Sequence, residues 1–334
     1  MKLRILLIYF LASITLVSFG WWGSDKYKEY LNQDFELPSW NKPKPLEKYT
    51  IENLSQTEVT SVEVKVEDNI FSFEFDPTLE YKKGNDLKKV TGLINIPESN
   101  TKSPIVILLR GYVDQSIYQT GVGTKRVGEY FRDNGYITLA PDFLGYGGSS
   151  IESSNIFETR FQTYTTVLTL LKSINKENFP NWDGKNIFIW AHSNGGQIAL
   201  TVLEITGKDY PTVLWAPVTE NFPYSILYYT NESQDGGKFI RKELAKFEDN
   251  YDTDKFSLIN YLEKINAPIE YHLGTADDAI PLEWRDRFLK RMKVLDKDIT
   301  NYNHSGADHN MNPLWSEVIL KTFQFLEKHK KLTT

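Results

Sequence analysis

From residue 104 onward the chain repeats one alternation: a short apolar run, then a longer stretch of helical character. The runs are PIVILLR (104–110), YITLAP (136–141), NIFIWA (186–191), PTVLWA (211–216), PIEYHLG (268–274) and ITNYNH (299–304). Helical stretches are expected at 123–133, 156–174, 194–206, 282–294 and 313–330. Several runs are continuously apolar over their central positions, so those strands are expected to be buried on both faces. That requires helices packed on both sides of a mostly parallel sheet. The feature predicts a doubly wound α/β domain over residues 56–334.

Upstream, VTSVEVKV (59–66) and IFSFEF (70–75) alternate with a period of two, and Glu67-Asp68-Asn69 reads as a turn between them. A hairpin leading into the main sheet is expected there, and another strand in KKVTGLINIP (88–97). Residues 23–55 are polar and carry Pro38, Pro43 and Pro45, which predicts a linker without a core of its own. Residues 218–262 break the alternation with Phe222, Tyr224, Tyr228, Tyr229, Phe239, Phe247 and Tyr251. They are expected to form a small insertion over the top of the sheet, a candidate lid.

At the N-terminus, Lys2 and Arg4 precede an uncharged apolar stretch from Ile5 to Phe19. This is the pattern of an export segment. Ser18 and Gly20 suit a cleavage site. Trp21-Trp22 suits a membrane interface and brings the stretch close to the ~18 residues that a span needs. Residues 1–22 are therefore expected to be a signal peptide or, through residues 5–22, a membrane anchor. The mature protein is expected outside the cytoplasm, secreted or anchored.

The chain has 334 residues, 40% of them hydrophobic and 25% charged, which is the composition of a globular protein rather than a disordered one. Its net charge of −6 is spread without a basic face, so nucleic acid is not an expected partner. It has no cysteine, which rules out disulfides and thiolate metal sites. There is no HExxH motif, and Gly236-Gly237-Lys238 lacks the spacing of a phosphate loop. No metal and no cofactor is expected.

The chemistry concentrates in IFIWAHSNGGQIAL (187–200). A buried strand ends in Ala191-His192-Ser193-Asn194-Gly195-Gly196 and a helix begins at once, the setting of a nucleophile elbow. Such a turn holds a serine in a strained backbone conformation with its hydroxyl pointing outward. It also needs small residues two before and two after, where strand and helix approach; Ala191 and Gly195 meet that need. The N–H of Asn194, at the helix start, is a candidate oxyanion donor. Alternatively, the segment is an ordinary polar turn between strand and helix.

A serine nucleophile needs a base, and the base an orienting acid. His309 follows a Gly-Ala-Asp turn after the last strand and is the candidate base, with His304 at the strand end as the alternative. Asp277, after strand 268–274, is the candidate acid, with Asp278 the alternative. All of these lie at C-terminal strand ends, where α/β sheets place their sites. Arg110-Gly111-Tyr112 ends strand 104–110, and the Tyr112 N–H is the candidate second oxyanion donor. The turn-rich stretch 141–149 is expected to shape the pocket rim.

VTGLINIP, VILLRGY, GYITLAPDFLGYGGSS, AHSNGGQIAL, GTADDAIP and GADHNM together resemble the α/β-hydrolase superfamily, and within it the prolyl oligopeptidase-type (S9) catalytic domain. The resemblance spans roughly residues 88–325. It implies an α/β-hydrolase fold with Ser193 as nucleophile, Asp277 as acid and His309 as base. Two departures stand out. Arg110-Gly111 occupies a position where family members commonly have His-Gly; Arg110 then either brings positive charge to the pocket or pairs with a carboxylate. Fewer than ~100 residues precede the first core strand, short of a propeller of four or more blades, so the family's peptide selectivity does not carry over. The expected function is a serine hydrolase working through an acyl-enzyme on a peptide or ester substrate. An S9-like serine peptidase leads, a carboxylesterase is the alternative, and a non-catalytic, membrane-tethered binding protein of the same fold is the rival of another class.

Overall fold

All six apolar runs become strands of one sheet in the computed structural model, which describes residues 43–82, 86–99, 101–233 and 235–332. In chain order the strands are β1 (Lys65–Glu67), β2 (Ile70–Phe75), β3 (Lys88–Asn95), β4 (Ser103–Leu109) and β5 (Ile137–Pro141), then β6 (Trp182–His192), β7 (Thr212–Trp215), β8 (Ile269–Gly274) and β9 (Ile299–His304). They lie in the order β1-β2-β3-β5-β4-β6-β7-β8-β9. Strands β4 to β9 run parallel to one another, and β3, β2 and β1 add antiparallel beyond β5 at one side. Every residue of β4, β5, β7 and β8 is buried, as strands covered on both faces must be.

The helices are α1 (Ile51–Gln56), α2 (Lys125–Asp133), α3 (Ile156–Lys172), α4 (Asn194–Thr206), α5 (Tyr224–Tyr229), α6 (Lys238–Glu248), α7 (Leu282–Val294) and α8 (Trp315–His329). The end of α4 follows from local chemistry. Gly207 takes a left-handed conformation (φ 57°) and returns its N–H to Leu203, a turn that glycine adopts without a side-chain penalty. Strand β5 lies on one side of β4 and β6 on the other, so the chain reverses its winding there. A crevice opens at that switch, beyond the carboxyl ends of β4 and β6. This is the α/β-hydrolase architecture. Among the described residues no helix is long and apolar enough to cross a membrane, and the N-terminal segment expected to do so lies outside them.

Three local differences from expectation have physical causes. First, residues 45–56 do not behave as a linker. Leu46, Tyr49, Ile51 and Leu54 are buried, and α1, capped by the Thr50 side chain, packs against α4. The folded domain begins near Pro45 rather than at 56. Second, only Lys65 and Val66 of the alternating stretch 59–66 pair as a strand, β1, which extends into the expected turn at Glu67. Ahead of it the backbone is satisfied by side chains: Ser173 Oγ accepts from Val62 N (3.0 Å), and Asn178 bonds Val62 O (2.9 Å) and Val64 N (3.1 Å). Third, the insertion between β7 and β8 is anchored by an aromatic cluster. Phe256 packs 4.8 Å from Phe161 of α3, and Phe247 lies 4.9 Å from Phe157.

Tyr49 tests the first difference. Its ring is buried beside Phe161 and its hydroxyl donates to Glu158 (3.0 Å). Tyr49→Ala is expected to lower the unfolding free energy by about 3 kcal/mol in urea titrations. A linker residue would show no change.

Candidate active site

Ser193 sits between β6 and α4 at φ 54°, ψ −120°, a region that a serine occupies only when its surroundings force it. Three backbone bonds hold it: Ser193 N to Trp215 O (3.0 Å), and Gly196 N and Val218 N to Ser193 O (2.9 Å each). The glycines explain the tightness of the turn. A Cβ on Gly195 would lie 2.1 Å from the Leu109 carbonyl oxygen, and one on Gly196 would lie 2.3 Å from Pro217 Cβ. Ala191 is fully buried. The requirement for a glycine two residues after Ser193 is therefore a matter of backbone contact with the end of β4.

His309 and Asp277 are joined. His309 Nδ1 donates to Asp277 Oδ2 (2.9 Å) and Oδ1 (3.1 Å). The Asp277 side chain has no solvent exposure, whereas that of His309 is 21% exposed. Asp277 Oδ1 also accepts from Ala279 N (2.8 Å) and Ile280 N (3.0 Å). Burial works against the Asp277 charge, but the His309 hydrogen bond and these two backbone donors outweigh it and hold the carboxyl below its usual range. Asp278, the alternative acid, is exposed.

No hydrogen bond among the described residues joins Ser193 Oγ to His309. His192 links their neighbourhoods instead. Its Nε2 donates to the His309 carbonyl oxygen (2.9 Å), and the two rings stand 4.7 Å apart. Burial, and then the neighbouring His309, push the His192 pKa down to about 4, so this ring is a neutral donor.

His304, the alternative base, is buried in a different network. His304 Nε2 bonds His272 Nδ1 (2.8 Å), and His272 Nε2 bonds Glu270 Oε1 (2.8 Å). Burial pushes His272 down to about 3, His304 to about 4 and Glu270 up to about 7. The sequence reading missed this chain. Its signal was the i, i+2 spacing of Glu270 and His272, which puts both on one face of β8.

The loop after β4 completes the site. Gly111 lies against the serine; a Cβ there would be 2.9 Å from Ser193 Cβ and 3.4 Å from Oγ. Neither Tyr112 N–H nor Asn194 N–H donates to a protein acceptor among the described residues. Both residues line a cavity of about 180 Å³, whose walls include Leu144, Tyr146, Arg160 and Gln197. The stretch 141–149 does form this rim, fixed by Asp142, whose carboxylate accepts from Thr91 (2.6 Å), Tyr118 (2.6 Å) and Thr120 (2.8 Å). Arg110 also lines the cavity, yet its two terminal nitrogens donate to backbone carbonyls, not to a carboxylate, and its buried Nε has no partner among the described residues. Among the described residues no group of three or more His, Asp or Glu side chains is placed to hold a metal ion.

The buried imidazoles set a pH dependence of stability. His192, His272 and His304 have folded pKa values below the ordinary 6.5, so in acid the unfolded chain takes up protons that the folded chain refuses. Glu270 opposes them between 4.5 and about 7, where the folded state binds the extra proton. Fully buried Glu204, raised well above the usual carboxylate range by burial, opposes them as well, and His329, lowered by burial, joins the imidazoles; four groups against two leave a net loss of stability as pH falls. The melting temperature, followed by circular dichroism, is expected to drop as pH is lowered from about 6.5 toward 4. A flat or rising profile would contradict neutral burial of these rings.

Comparison with known proteins bears on the fold and the family. The structure is similar to the Pyrococcus furiosus esterase Pf2001 (18% identity, TM-score 0.52, covering 84% of this chain and 95% of that one). It is also similar to Est1E from Butyrivibrio proteoclasticus, solved with ferulic acid bound (18% identity, TM-score 0.51, covering 72% of this chain and 95% of that one). At such identities the likeness is one of fold. A search of curated proteins finds no match. Residues 124–332, more than half of the chain, match the model of the prolyl oligopeptidase family. The chain therefore belongs to the prolyl oligopeptidase family and is a serine hydrolase of the α/β-hydrolase type.

Proposed function

We propose that the protein is a serine peptidase that cleaves peptide or aminoacyl amides through an acyl-enzyme on Ser193. The observation that carries this reading is the bonded Asp277–His309 pair at the same sheet edge as the strained Ser193 turn. Asp277 keeps the proton on His309 Nδ1, which leaves Nε2 free to act as base. His309 Nε2 takes the Ser193 hydroxyl proton as Oγ attacks the carbonyl carbon. The N–H groups of Asn194 and Tyr112 receive the oxyanion. The C–N bond then breaks, with the proton passing from His309 to the leaving amine. Water attacks the acyl-enzyme by the same route in reverse. The hydrogen bond from Ser193 Oγ to His309 Nε2, not made in this structure, is one that forms as substrate fills the site.

A carboxylesterase is the second reading. It is favoured by the esterases among the structural neighbours and by the small cavity beside Tyr112 and Asn194, which suits a short acyl group. The basic, apolar N-terminus supports export of either enzyme. N-terminal sequencing of the mature protein distinguishes a cleaved leader, with a start near Trp21, from a retained anchor.

Initial rates on p-nitrophenyl esters and on aminoacyl- or peptidyl-p-nitroanilides test the proposal. Ser193→Ala and His309→Gln are each expected to lower anilide turnover by roughly 10⁴- to 10⁶-fold. His304→Gln, away from the reacting atoms, is expected to keep measurable turnover. Ser193-dependent turnover of esters alone would select the esterase. Absence of any Ser193-dependent turnover, with no fluorophosphonate labelling, would favour the binding protein.

A further inference from the structure

We propose that Arg110 is a positioning residue for the oxyanion site: its guanidinium holds the Gly111–Tyr112 peptide so that the Tyr112 N–H is presented beside Ser193. The inference rests on the acyl-transfer reading of Ser193.

Arg110 directly follows β4 and is 5% exposed. A buried guanidinium ordinarily pairs with a carboxylate, because an unpaired buried charge is costly. Here no carboxylate lies within ion-pairing distance among the described residues. The nearby Asp142 carboxylate is taken up by three hydroxyls instead. The charge is accommodated by aromatic faces, with the guanidinium carbon 4.1 Å from the Tyr146 ring centre, 4.5 Å from Tyr118 and 5.6 Å from Phe143. This cage aims the two terminal nitrogens at carbonyl oxygens: Nη1 donates to Gly111 O (2.9 Å) and Nη2 to Asp142 O (3.0 Å).

The consequence lies at the other end of the same peptide. The Gly111–Tyr112 bond is trans, so its N–H points opposite to its C=O. Fixing the carbonyl on Arg110 fixes the direction of the Tyr112 N–H, which has no protein acceptor among the described residues. The far side of the loop is held too, because Tyr146, one wall of the cage, donates its hydroxyl to Val113 O (3.0 Å). Gly111 brings this peptide alongside Ser193, where any side chain would collide. A cation on the carbonyl also polarises the amide and makes its N–H a stronger donor to a developing negative charge. A side chain without donors in the cage would do neither.

The test is steady-state hydrolysis of p-nitrophenyl butyrate by the wild type, Arg110→Met, Arg110→Lys and Ser193→Ala, with melting temperatures measured alongside. Arg110→Met is expected to lower kcat roughly 10²-fold with KM little changed, the signature of a lost transition-state donor. Guanidinium chloride at non-denaturing concentration is expected to restore part of that kcat and to do nothing for Ser193→Ala. Arg110→Lys keeps the charge but cannot span both carbonyls, so an intermediate loss is expected; it carries the test should Arg110→Met fail to fold. Unchanged kcat in either folded variant, or an effect confined to KM, would overturn the proposal. So would a loss that guanidinium does not relieve and that follows the melting temperature, since Arg110 would then be a brace of the fold. Wild-type turnover that persists in Ser193→Ala would instead remove the acyl-transfer reading, and this inference with it.

Discussion

The contact of Gly195 with the end of β4 is the constraint on which the site depends. Only a hydrogen fits between the first turn of α4 and the carbonyls of Leu109 and Arg110. That approach forces Ser193 into its positive-φ turn, at a cost of about 1–3 kcal/mol. It also places the Asn194 N–H at the wall of the cavity that Tyr112 shares. The strain persists because the surrounding sheet over-determines it. Ser193 is bonded through its own N–H to Trp215, and through its carbonyl to Gly196 and Val218. The Ser193 turn and the position of the Asn194 N–H thus follow from one backbone contact between α4 and β4.

Two buried carboxylates show how surroundings separate roles. Asp277 meets two backbone N–H groups as well as His309, and it stays charged below the usual range. Glu270 meets a single imidazole and no backbone donor among the described residues, and burial lifts it to about 7. Only the first can stabilise an imidazolium formed during turnover. The Glu270–His272–His304 chain has the residue types of a relay but neither exposure nor a hydroxyl to act upon. It is best understood as a satisfied polar filament crossing β8 and β9.

The strands were legible because burial on both faces leaves an unbroken apolar record in sequence, and the elbow because its glycines answer a backbone collision. Ser193, Asp277 and His309 could be ordered along the chain, yet the choice between His309 and His304 needed burial, which no local pattern carries. Residues 45–56 were misread because their four anchors are irregularly spaced and find their partners far away, on α3 and α4. The stretch 59–64 has strand alternation, but Ser173 and Asn178, more than a hundred positions on, take its hydrogen bonds. Arg110 raised a question that sequence could pose and not answer. Its cage is assembled from residues 118, 143 and 146, which only the folded loops bring together.

The choice between amide and ester turns on the second proton transfer. A phenolate or stabilised alkoxide leaves without help, whereas an amine leaves only once His309 has returned the proton to nitrogen. An enzyme for amides therefore gains more from an imidazole that keeps its orientation throughout the cycle. His309 is held at both ends: Asp277 takes its Nδ1–H, and His192 anchors its backbone carbonyl. The His192 ring, kept neutral by burial, adds no competing charge as the His309 imidazolium forms. This restraint is dispensable for activated esters and consequential for amides, which is the physical reason to set the peptidase reading ahead of the esterase one.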